Sequence, residues 1–553
     1  MESSFLFIAG LGAFILSYYF YGEHLSKNIF SLSKLDEKDL KTPAYEFEDG
    51  VDYVPANKSI LFGHHFSSIA GAAPIVGPAV AAIWGWLPAF LWIVFGVVFM
   101  GAAHDFGVLV LSMQNKGKSI AHVCEDLLGP KVKNLFLIVI FFLVWMVIAV
   151  FALVIANLFI SFPSSVIPVN FEIFIAITIG IVAKKSKWSL TVPSILAQLM
   201  LMLMIYIGTI YPVDISGLVG SSNVLMAWMI FLLVYSFIAS ILPVWLLLQP
   251  RDYINCHQLF LGLGLMSLGV LIVSPDVVAP ALNLNPKGAP PWFPFLFITI
   301  ACGAISGFHG LVSGGTTSKQ VKKFKDAKPI GYGSMLGEGL LALLATLAVC
   351  TGFSDSGHWH DHYSSWSAAN GLTAKINAFV LGAGGFLSGL GIPENISQTV
   401  IAVLIISFAA TSLDTACRIQ RYIISELGES FSIKPLKNRF LSGGLAVGTA
   451  FLLMISGDQG KGGLSLWPLF GATNQMLACL SLIVISVWLK KRGKNSLYFL
   501  VPALIILIVT SIALTFNLFK FFEAENYFLT IISLILLVIE FFIASLSVKI
   551  FRS

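Results

Sequence analysis

Long apolar segments, each about the length of a bilayer-crossing helix, dominate this chain of 553 residues. A helix needs roughly 20 apolar residues to cross about 30 Å of hydrocarbon, and runs of that length recur about fifteen times. Only helices and closed barrels satisfy their own backbone hydrogen bonds inside a bilayer, and runs this apolar are typical of helices. The sequence therefore predicts an all-α polytopic membrane protein with about 15 transmembrane helices. The predicted spans begin near Phe5, Leu61, Trp86, Leu135, Val169, Leu190, Val224, Gln258, Phe293, Ile330, Ile376, Phe440, Leu466, Leu497 and Tyr527.

Basic residues are distributed unevenly among the connections between these spans. All but four of the 33 Lys and Arg residues follow odd-numbered spans, and the exceptions are Lys287, Lys375, Lys461 and Lys520. Because Lys and Arg mark cytoplasmic connections, we predict a multi-pass protein of the cell (inner) membrane. Its N-terminus is expected outside and its C-terminus in the cytoplasm.

The composition excludes several classes of protein. The chain is 57% hydrophobic and 11% charged, whereas soluble domains carry about 25% charged residues. The net charge of +5 belongs to the predicted cytoplasmic loops, so no nucleic-acid partner is expected. Segment Phe5–Tyr21 has an acidic flank and no cleavage site, which favours a retained span over a signal peptide. Six scattered cysteines and the lack of phosphate-loop or nucleophile motifs predict no cofactor and no enzymatic activity.

Two segments of similar sequence interrupt membrane-length apolar runs. Ser67–Pro74 reads SSIAGAAP and Ser236–Pro243 reads SFIASILP, so both contain Ser-x-Ile-Ala-small-x-x-Pro. The second span is five spans before the seventh, so the two segments are expected to run in opposite directions through a bilayer. Oppositely oriented broken helices that meet near the midplane are typical of inverted-repeat transporters. The alternative is a chance match in a chain rich in Ser, Ala, Gly and Ile.

This interpretation divides the chain on a leucine-transporter-like 5+5 inverted-repeat plan with accessory helices. Residues 1–60 hold the first span and a charged linker, 61–222 the first repeat, 223–412 the second repeat and 413–553 the accessory spans. The glycine-rich stretch 381–394 is expected to form a re-entrant or interfacial piece.

A substrate pocket is expected where the two broken segments meet. Broken helices free backbone groups, which are tolerated only beside protein or a water-filled cavity, and a half-helix N-terminus favours an anion. The alternative is a kink that serves helix packing alone. The expected pocket residues are Ser67, Ser68, Gly71, Ser236 and Ser240, with His65 and His309 nearby.

Ionisable side chains within predicted spans are costly to bury and are functional candidates by default. Asp105 lies about two turns from the end of the third span, and Glu338 lies at a similar depth in the tenth. Proton coupling is predicted to use Asp105 or Glu338, with His64 and His104 as neighbouring groups. A purely structural partnership is the alternative. Glu540 is deep in the last span, and no converging polar residue is evident beside it.

Three hydroxyls at the end of the ninth span form a candidate cation site. Ser313, Thr316 and Thr317 have the i, i+3, i+4 spacing that places side chains on one helical face. Hard oxygen donors suit a small cation, which makes Na+ an alternative coupling ion to H+. The same residues also suit a helix terminator.

A charged group near the end of the eleventh span predicts a cytoplasmic gate. Asp414 and Arg418, with Arg421, are expected to form an ion pair that holds the inward mouth closed, or that only anchors the helix.

The loop His358–His362 has a composition that suits a transition metal. A solvated loop is the simpler interpretation, and no metal site is predicted.

Five longer motifs run from the second to the thirteenth span, and they are Gly63–Pro78, Leu242–Tyr253, Ile305–Gln320, Ser407–Tyr422 and Leu466–Gln475. Together they resemble the carbon starvation protein A family. The resemblance implies an inner-membrane nutrient importer, linked with uptake of peptides and, for some members, of pyruvate by proton symport. It also implies the amino acid–polyamine–cation superfamily, which agrees with the inverted-repeat interpretation.

We therefore predict a secondary active transporter that imports a small anionic nutrient, pyruvate or a short peptide, by cation symport, with a proton favoured. Na+ symport of the same substrates is the main alternative. A channel is less favoured because no ring of like charge or carbonyl filter is visible. A membrane metal or redox protein would use His64, His65, His104 and His309 as ligands. The expected partners are the lipid bilayer and the small-molecule substrate.

Overall fold

A computed structural model describes residues 2–37, 40–186, 191–369, 371–455 and 467–552. In these ranges the chain forms helices and their connections, and β pairing is confined to two isolated bridges, Glu2 with Asp276 and Ala56 with Val321. The predicted all-α class is confirmed. Lys461 and the predicted span start at Leu466 lie outside the described residues.

The principal helices of the described ranges are numbered in chain order. α1 continues through Tyr21–His24 into a π-helical turn at Leu25–Ile29, and a second π-helical turn, Val97–Gly101, lies inside α4. The helices are α1 (Ser3–Tyr19), α2 (Lys58–Ile69), α3 (Ala73–Ala81), α4 (Trp86–Gln114), α5 (Ile120–Leu128), α6 (Pro130–Ser161), α7 (Val166–Ser186), α8 (Thr191–Ile210), α9 (Val224–Ile241), α10 (Leu248–Val273), α11 (Trp292–Thr299), α12 (Ala301–Ala304), α13 (Gly307–Gly315), α14 (Ser334–Thr351), α15 (Leu372–Ser388), α16 (Glu394–Ser430), α17 (Arg439–Ile455), α18 (Trp467–Lys491), α19 (Leu497–Glu523) and α20 (Tyr527–Arg552).

Twelve helices of the described ranges are long and apolar enough to cross a membrane, or thirteen if the bent pair α2 and α3 is one span. The predicted count of about fifteen is therefore approximate. The span expected near Phe293 consists of three short helices, α11 to α13, and α17 is only 17 residues long. The span expected near Ile376 is two helices, because α15 ends at Ser388 and α16 begins at Glu394.

Two apolar segments are interrupted within the membrane-length part of the chain. α2 ends at Ile69 and α3 begins at Ala73, with a bend of 44° between their axes. Pro74 occupies the first turn of α3, where its missing N–H costs no helical hydrogen bond. The second interruption separates α12 from α13, where Ile305 and Ser306 are extended. Both interruptions free backbone groups in the protein interior.

The N-terminal linker, described for residues 30–37 and 40–57, lies across one end of the helix bundle. The Ala56 N–H donates to the Gln320 carbonyl at 2.9 Å, and the Thr42 hydroxyl donates to the Val321 carbonyl at 2.6 Å. This end is called the linker face, and the other end is called the opposite face. The long helices α6 and α16 pack along each other through the centre of the bundle, so the interruptions are held within a largely buried core.

Candidate functional site

The two helix interruptions lie against each other. α3 packs on α12, and α2 packs on α13. A Cβ placed on Gly303 would lie 3.8 Å from the Cα of Pro74. A Cβ placed on Gly77 would lie only 2.4 Å from the Thr299 carbonyl oxygen, so the backbones of α3 and α11 approach more closely than a larger residue allows. These contacts bring freed backbone groups of both interruptions to one region.

Asn474 of α18 fills part of the gap between α12 and α13. The backbone N–H of Phe308 donates to Asn474 Oδ1 at 2.9 Å, which satisfies an amide at the N-terminus of α13. Asn474 Nδ2 donates to the Ser306 hydroxyl at 3.0 Å and to Cys302 Sγ at 3.2 Å. A single amide side chain therefore stabilises the extended backbone of the interruption.

A buried histidine lies between two buried carboxyl groups beside this gap. Nδ1 of His309 is 3.1 Å from Oδ2 of Asp105, and Nε2 of His309 is 3.2 Å from Oε2 of Glu338. Asp105 also contacts Nδ1 of His104 through Oδ1 at 2.7 Å. The side chains of Asp105 and Glu338 are fully buried, and that of His309 is 1% exposed. We call Asp105, His104, His309 and Glu338 the acid–histidine cluster.

The two carboxyl groups of this cluster differ in their hydrogen bonds. Asp105 has an imidazole nitrogen within hydrogen-bond distance of each oxygen, so its charged form is stabilised. Neither oxygen of Glu338 has a hydrogen-bond partner among the described residues, because its contact with His309 lacks hydrogen-bond alignment. A buried carboxylate without donors is unfavourable. Glu338 is therefore the group of the cluster whose environment favours taking up a proton.

A second buried ionic group lies between α10 and α16, nearer the linker face. Arg251 contacts Asp414 and the Tyr235 hydroxyl, and its NH2 group donates to Thr411 Oγ1 at 2.9 Å. The Tyr235 hydroxyl donates to the same Asp414 carboxylate at 2.9 Å. Paired charges of this kind offset the cost of leaving water, although removing one partner would leave a buried charge. Arg251 therefore fixes α10 against α16.

The end of α2 is held by hydrogen bonds to two neighbouring segments. Nδ1 of His64 contacts Oδ2 of Asp252 at 2.5 Å, and the Ser67 hydroxyl donates to the Asp252 carbonyl at 3.1 Å. Nδ1 of His65 lies 2.9 Å from Thr317 Oγ1. Thus His64 and His65 face different neighbours, as adjacent helical residues must.

Hydroxyl groups of α16 meet the last turn of α2 at the first interruption. The Ser412 hydroxyl donates to the Ser68 carbonyl at 3.0 Å, and Thr415 Oγ1 lies 3.3 Å from the Ser68 hydroxyl. A Cβ on Gly71 would meet the Ser412 hydroxyl at 2.8 Å, so α16 lies directly against the bend.

The linker covers the bundle on the linker-face side of these groups. Asp52 of the linker contacts Arg418 of α16 at 3.1 Å and accepts a hydrogen bond from the Tyr422 hydroxyl at 2.5 Å. Burial raises the pKa of Asp52, but the positive charges of Arg418 and Lys319 outweigh this effect and hold the pKa below its usual value. Arg418 also donates to the Ala239 carbonyl at 3.0 Å. The site is thus covered on its linker side by two successive layers of ion pairs.

Asp414 and Arg418, the predicted gate pair, have different partners in the structure. Asp414 contacts Arg251, whereas Arg418 contacts Asp52. Because Asp414 and Arg418 are one turn apart on α16, they face successive layers of the same closed region. The predicted group is present at the linker face, but each of its members is paired with another part of the chain.

Ser236 and Ser240 lie apart from the first interruption. α9 packs against α6, α16 and α17, and the Ser240 hydroxyl donates to the Phe237 carbonyl of its own helix at 2.8 Å. Leu242 and Pro243 end α9 near Arg418, at the linker face, in the connection to α10. The interruption that faces the α2–α3 bend is the one between α12 and α13.

The three hydroxyls predicted to form a cation site have separate environments. The Thr316 hydroxyl donates to the Val312 carbonyl of its own helix at 3.0 Å, and Thr317 contacts His65. Ser313 is buried, and its hydroxyl has no hydrogen-bond partner among the described residues. No cluster of three or more His, Cys, Asp or Glu side chains in the described ranges is arranged to hold a metal ion, the loop His358–His362 included.

Several buried polar residues at the site were not singled out from the sequence. Arg251 and Asp252 lie inside the Leu242–Tyr253 motif, and Asn474 lies inside Leu466–Gln475, so the motifs themselves carried the signal. Glu172 of α7, which accepts a hydrogen bond from the Ser407 hydroxyl at 3.1 Å, had no such signal. Glu540 also has polar neighbours, because Thr510 and Ser511 of α19 hydrogen-bond to its carboxyl group.

A family model described as carbon starvation protein CstA matches residues 2–360 and 354–513 of this chain. The "Peptide transporter CstA" of Campylobacter jejuni is 34% identical, over 92% of this chain and 79% of that protein. The protein of the same name from Bacillus subtilis is 32% identical, over 99% of this chain and 97% of that protein. The "Pyruvate/proton symporter BtsT" of Escherichia coli is 31% identical, over 94% of this chain and 82% of that protein.

Among solved structures, a mutant of the Eremococcus coleocola manganese transporter shares the fold. The TM-score is 0.52 at 12% identity, with 91% of this chain and 98% of that chain covered. The family and the names of the relatives denote transporters rather than enzymes, as the sequence predicts. Because the family model and these relatives match most of its length, the chain belongs to the carbon starvation protein CstA family.

Proposed function

We propose that this protein is a secondary active transporter that imports a small anionic nutrient, pyruvate or a short peptide, together with a proton. The observation that carries the proposal is His309 held between Asp105 and Glu338 beside two facing helix interruptions. The names of the relatives, peptide transporter and pyruvate/proton symporter, support the same substrates and ion. With the N-terminus outside and the C-terminus in the cytoplasm, the linker face is the cytoplasmic one.

The substrate pocket is placed between the two interruptions. α3 and α13 both begin there, and the N-terminus of a helix carries partial positive charge that favours a carboxylate. The side-chain oxygen of Asn474 already accepts a hydrogen bond from a backbone amide of α13. A carboxylate oxygen of the substrate would take the place of this side-chain oxygen. Ser67, Ser68, Gly71, His65 and His309 remain the pocket residues that surround this region.

Coupling follows from the unequal partners of the two carboxyl groups. Glu338 takes up the proton, because neither oxygen of its carboxylate has an aligned hydrogen-bond donor among the described residues. Asp105 stays charged and orients the His309 ring, which lies between them. Protonation of Glu338 removes one negative charge from the cluster, so an anionic substrate at the neighbouring helix N-termini meets less repulsion. Substrate and proton therefore favour each other's binding, as symport requires.

Release toward the linker face requires both ion-pair layers to separate. The outer layer joins Asp52 to Arg418, and the inner layer joins Arg251 to Asp414. Arg418 belongs to α16 and its partner Asp52 belongs to the linker, whereas Arg251 holds α10 against α16. Movement of the linker away from α16 would therefore open the outer layer first. Such rigid-body gating around a fixed midplane site is the usual mode of inverted-repeat transporters.

The test separates coupling from binding in proteoliposomes. Glu338→Gln is expected to abolish accumulation driven by a pH gradient and to retain counterflow of labelled substrate, since exchange needs no net proton movement. Asp105→Asn is expected to lose both, because an NH2 group replaces one carboxylate oxygen and residue 105 can no longer accept hydrogen bonds from both His104 and His309. Glu540→Gln is the matched control, a buried carboxyl outside the cluster, and should accumulate substrate normally. Full accumulation by Glu338→Gln would refute the assignment, and counterflow with pyruvate, alanine and dipeptides would identify the substrate.

Sodium symport is the second candidate, and the contacts of α16 favour it specifically. At the α2–α3 bend the Ser412 hydroxyl lies beside the Ser68 carbonyl and the Thr415 hydroxyl lies beside the Ser68 hydroxyl. Oxygen ligands of this kind suit a small cation. Ser313, Thr316 and Thr317 are a further candidate set. Uptake that follows a Na+ gradient at equal pH, and that Ser412→Ala abolishes, would establish this alternative.

A further inference from the structure

A cavity opens near the opposite face and ends beside the candidate site. Its volume is about 770 Å³ including the open mouth, and it lies between α3, α11, α12, α18 and α19. Ala73 and Cys302 line it at the two interruptions, while Pro290 and Trp366 line it near the opposite face. Ala73 is the first residue of α3, so the cavity reaches the helix N-terminus to which an anionic substrate is assigned above.

The charge on the lining of this cavity is positive. Among the described residues that line it, Lys520 of α19 alone is charged, and Asn517 lies one turn before it. The Lys520 side chain is exposed, and it forms no ion pair with a described residue. Glu523 and Glu525 follow it in the chain without lining the cavity. A lone cation at a low-dielectric opening raises the local concentration of anions.

The inner end of the cavity is joined to the polar groups of the site. Cys302 is 7% exposed, and its Sγ lies 3.2 Å from Asn474 Nδ2 and 3.7 Å from the Ser306 hydroxyl. The same Asn474 contacts the amide of Phe308 at the start of α13. A solute that reaches Cys302 is therefore one side chain away from the interruption between α12 and α13.

We propose that this cavity is the access route for a small organic anion from the opposite face, with Lys520 as the residue that selects for negative charge. The inference deepens the transport proposal and rests on it for the identity of the anion. The proposal adds an access route, its inner end at Cys302 and a residue that determines which charge the route prefers. A zwitterionic substrate would gain little from Lys520, so the residue favours monocarboxylates over peptides.

The test measures modification of Cys302 by charged methanethiosulfonates in the purified full-length protein. The thiolate attacks the reagent's sulfenyl sulfur, a mixed disulfide forms and methanesulfinate leaves. Rates for the anionic sulfonatoethyl reagent and the cationic trimethylammonioethyl reagent are divided by their rates with a free thiol. Mass spectrometry of the Cys302 peptide distinguishes this residue from the other five cysteines, which are also buried.

In the native chain the normalised anion-to-cation ratio is expected to be about tenfold, because a unit charge roughly 6 Å away in water raises the anion's rate about threefold and lowers the cation's rate about threefold. Lys520→Gln should bring the ratio to about one, and Lys520→Glu should invert it. Lys322→Gln is the control, a lysine at the linker face whose ammonium group binds Asn57, and should leave the ratio unchanged.

Two results would overturn the access route. One is absence of Cys302 modification by either reagent in active protein, and the other is a ratio that Lys520→Gln does not change. The labelling needs neither a gradient nor a substrate, so it can succeed even if pyruvate and peptides are not transported. Conversely, intact transport with an unreactive Cys302 would remove this route and leave the transport proposal standing. In transport itself, Lys520→Gln is expected to raise the KM for pyruvate about threefold without changing the maximal rate.

Discussion

Two groups of buried charged residues in the described ranges act as a pair and a triad rather than as single ions. Arg251 is fully enclosed with Asp414 and Tyr235, and His309 lies between Asp105 and Glu338. Taking ions out of water costs several kcal/mol each, which excellent local geometry can offset. The two groups differ in one respect: Arg251 always carries its charge, whereas the proton at His309 can move. We therefore assign a fixed structural role to the first group and a changing one to the second.

The Arg251–Asp414 pair predicts strong coupling in a double-mutant cycle. Arg251→Met and Asp414→Asn should each destabilise the protein by about 3 to 5 kcal/mol, because each leaves a buried charge without its partner. The double variant should lose less than the sum of the two, since no unpaired charge remains. Thermal unfolding in detergent measures this. Lys118→Met, which breaks an exposed pair with Asp126, is the control and should cost under about 1 kcal/mol. Additive losses at Arg251 and Asp414 would contradict the pairing.

Asp52 predicts a pH dependence of stability with a definite sign. Arg418 and Lys319 outweigh the effect of burial and lower the pKa of Asp52, so the folded state favours the carboxylate. Its contribution is present above the unfolded pKa of about 3.9 and is lost as pH falls through the folded value. Asp52→Asn should therefore cost about 1 to 3 kcal/mol at pH 7 and progressively less below about pH 4. Unfolding midpoints across pH test this, with the exposed Glu48→Gln as control, and a difference that does not shrink in acid would contradict it.

At the scale of helices, the two interruptions have unlike causes. The α2–α3 bend is legible in the sequence, because Gly71 and Pro74 disfavour a continuous helix. The α12–α13 interruption at Ile305 and Ser306 has no such signal, since both residues occur within helices elsewhere in this chain. It depends on Asn474, which satisfies the Phe308 amide from a helix far along the chain. That contact is tertiary, so the sequence predicts a continuous span there.

The same distinction explains how much of the site could be predicted. Asp105 and Glu338 are conspicuous in the sequence because charged residues are rare in apolar spans. Their common contact with His309 could not be read from it, because α4, α13 and α14 meet only in the folded bundle. The motif predicts Ser236 at the same pocket, whereas the main packing partners of α9 are α6, α16 and α17. The local sequence pattern predicts the membrane spans, whereas tertiary packing determines which polar groups lie together.

Close approach of α3 and α11 predicts a severe effect for one glycine. A Cβ at Gly77 would lie 2.4 Å from the Thr299 carbonyl oxygen, a backbone atom that cannot rotate away. Gly77→Ala should therefore separate the two helices, lower stability by about 1 to 3 kcal/mol and reduce the maximal transport rate. Gly448→Ala in α17 is the matched control, because no atom lies within 4 Å of its added Cβ. Equal behaviour of the two variants in thermal unfolding and uptake would contradict the close approach.

Across the whole molecule, the polar groups are arranged in order from the opposite face to the linker face. The cavity with Lys520 leads from the opposite face to Cys302, and the two interruptions and the acid–histidine cluster come next. The layers of Arg251 and Arg418 then close the path to the linker face. The bundle is thus open on one side of the candidate site and closed on the other. This asymmetry is what one end state of an alternating-access cycle requires.

Charge balance over a transport cycle gives the most general prediction. Within the part of the chain that the structure describes, the cluster offers one carboxyl group without an aligned hydrogen-bond donor, Glu338, so one proton should move with each substrate. A monoanion such as pyruvate then crosses without net charge, and a pH gradient should drive its accumulation while a K+ diffusion potential at equal pH should not. A zwitterionic dipeptide with one proton carries a net positive charge, so an inside-negative potential of 100 mV should favour its uptake by about 2.3 kcal/mol. Proteoliposomes with valinomycin test both cases with one preparation. Accumulation of pyruvate driven by the potential alone would mean that more than one cation moves, and would require a second coupling site such as the α16 hydroxyls at Ser68.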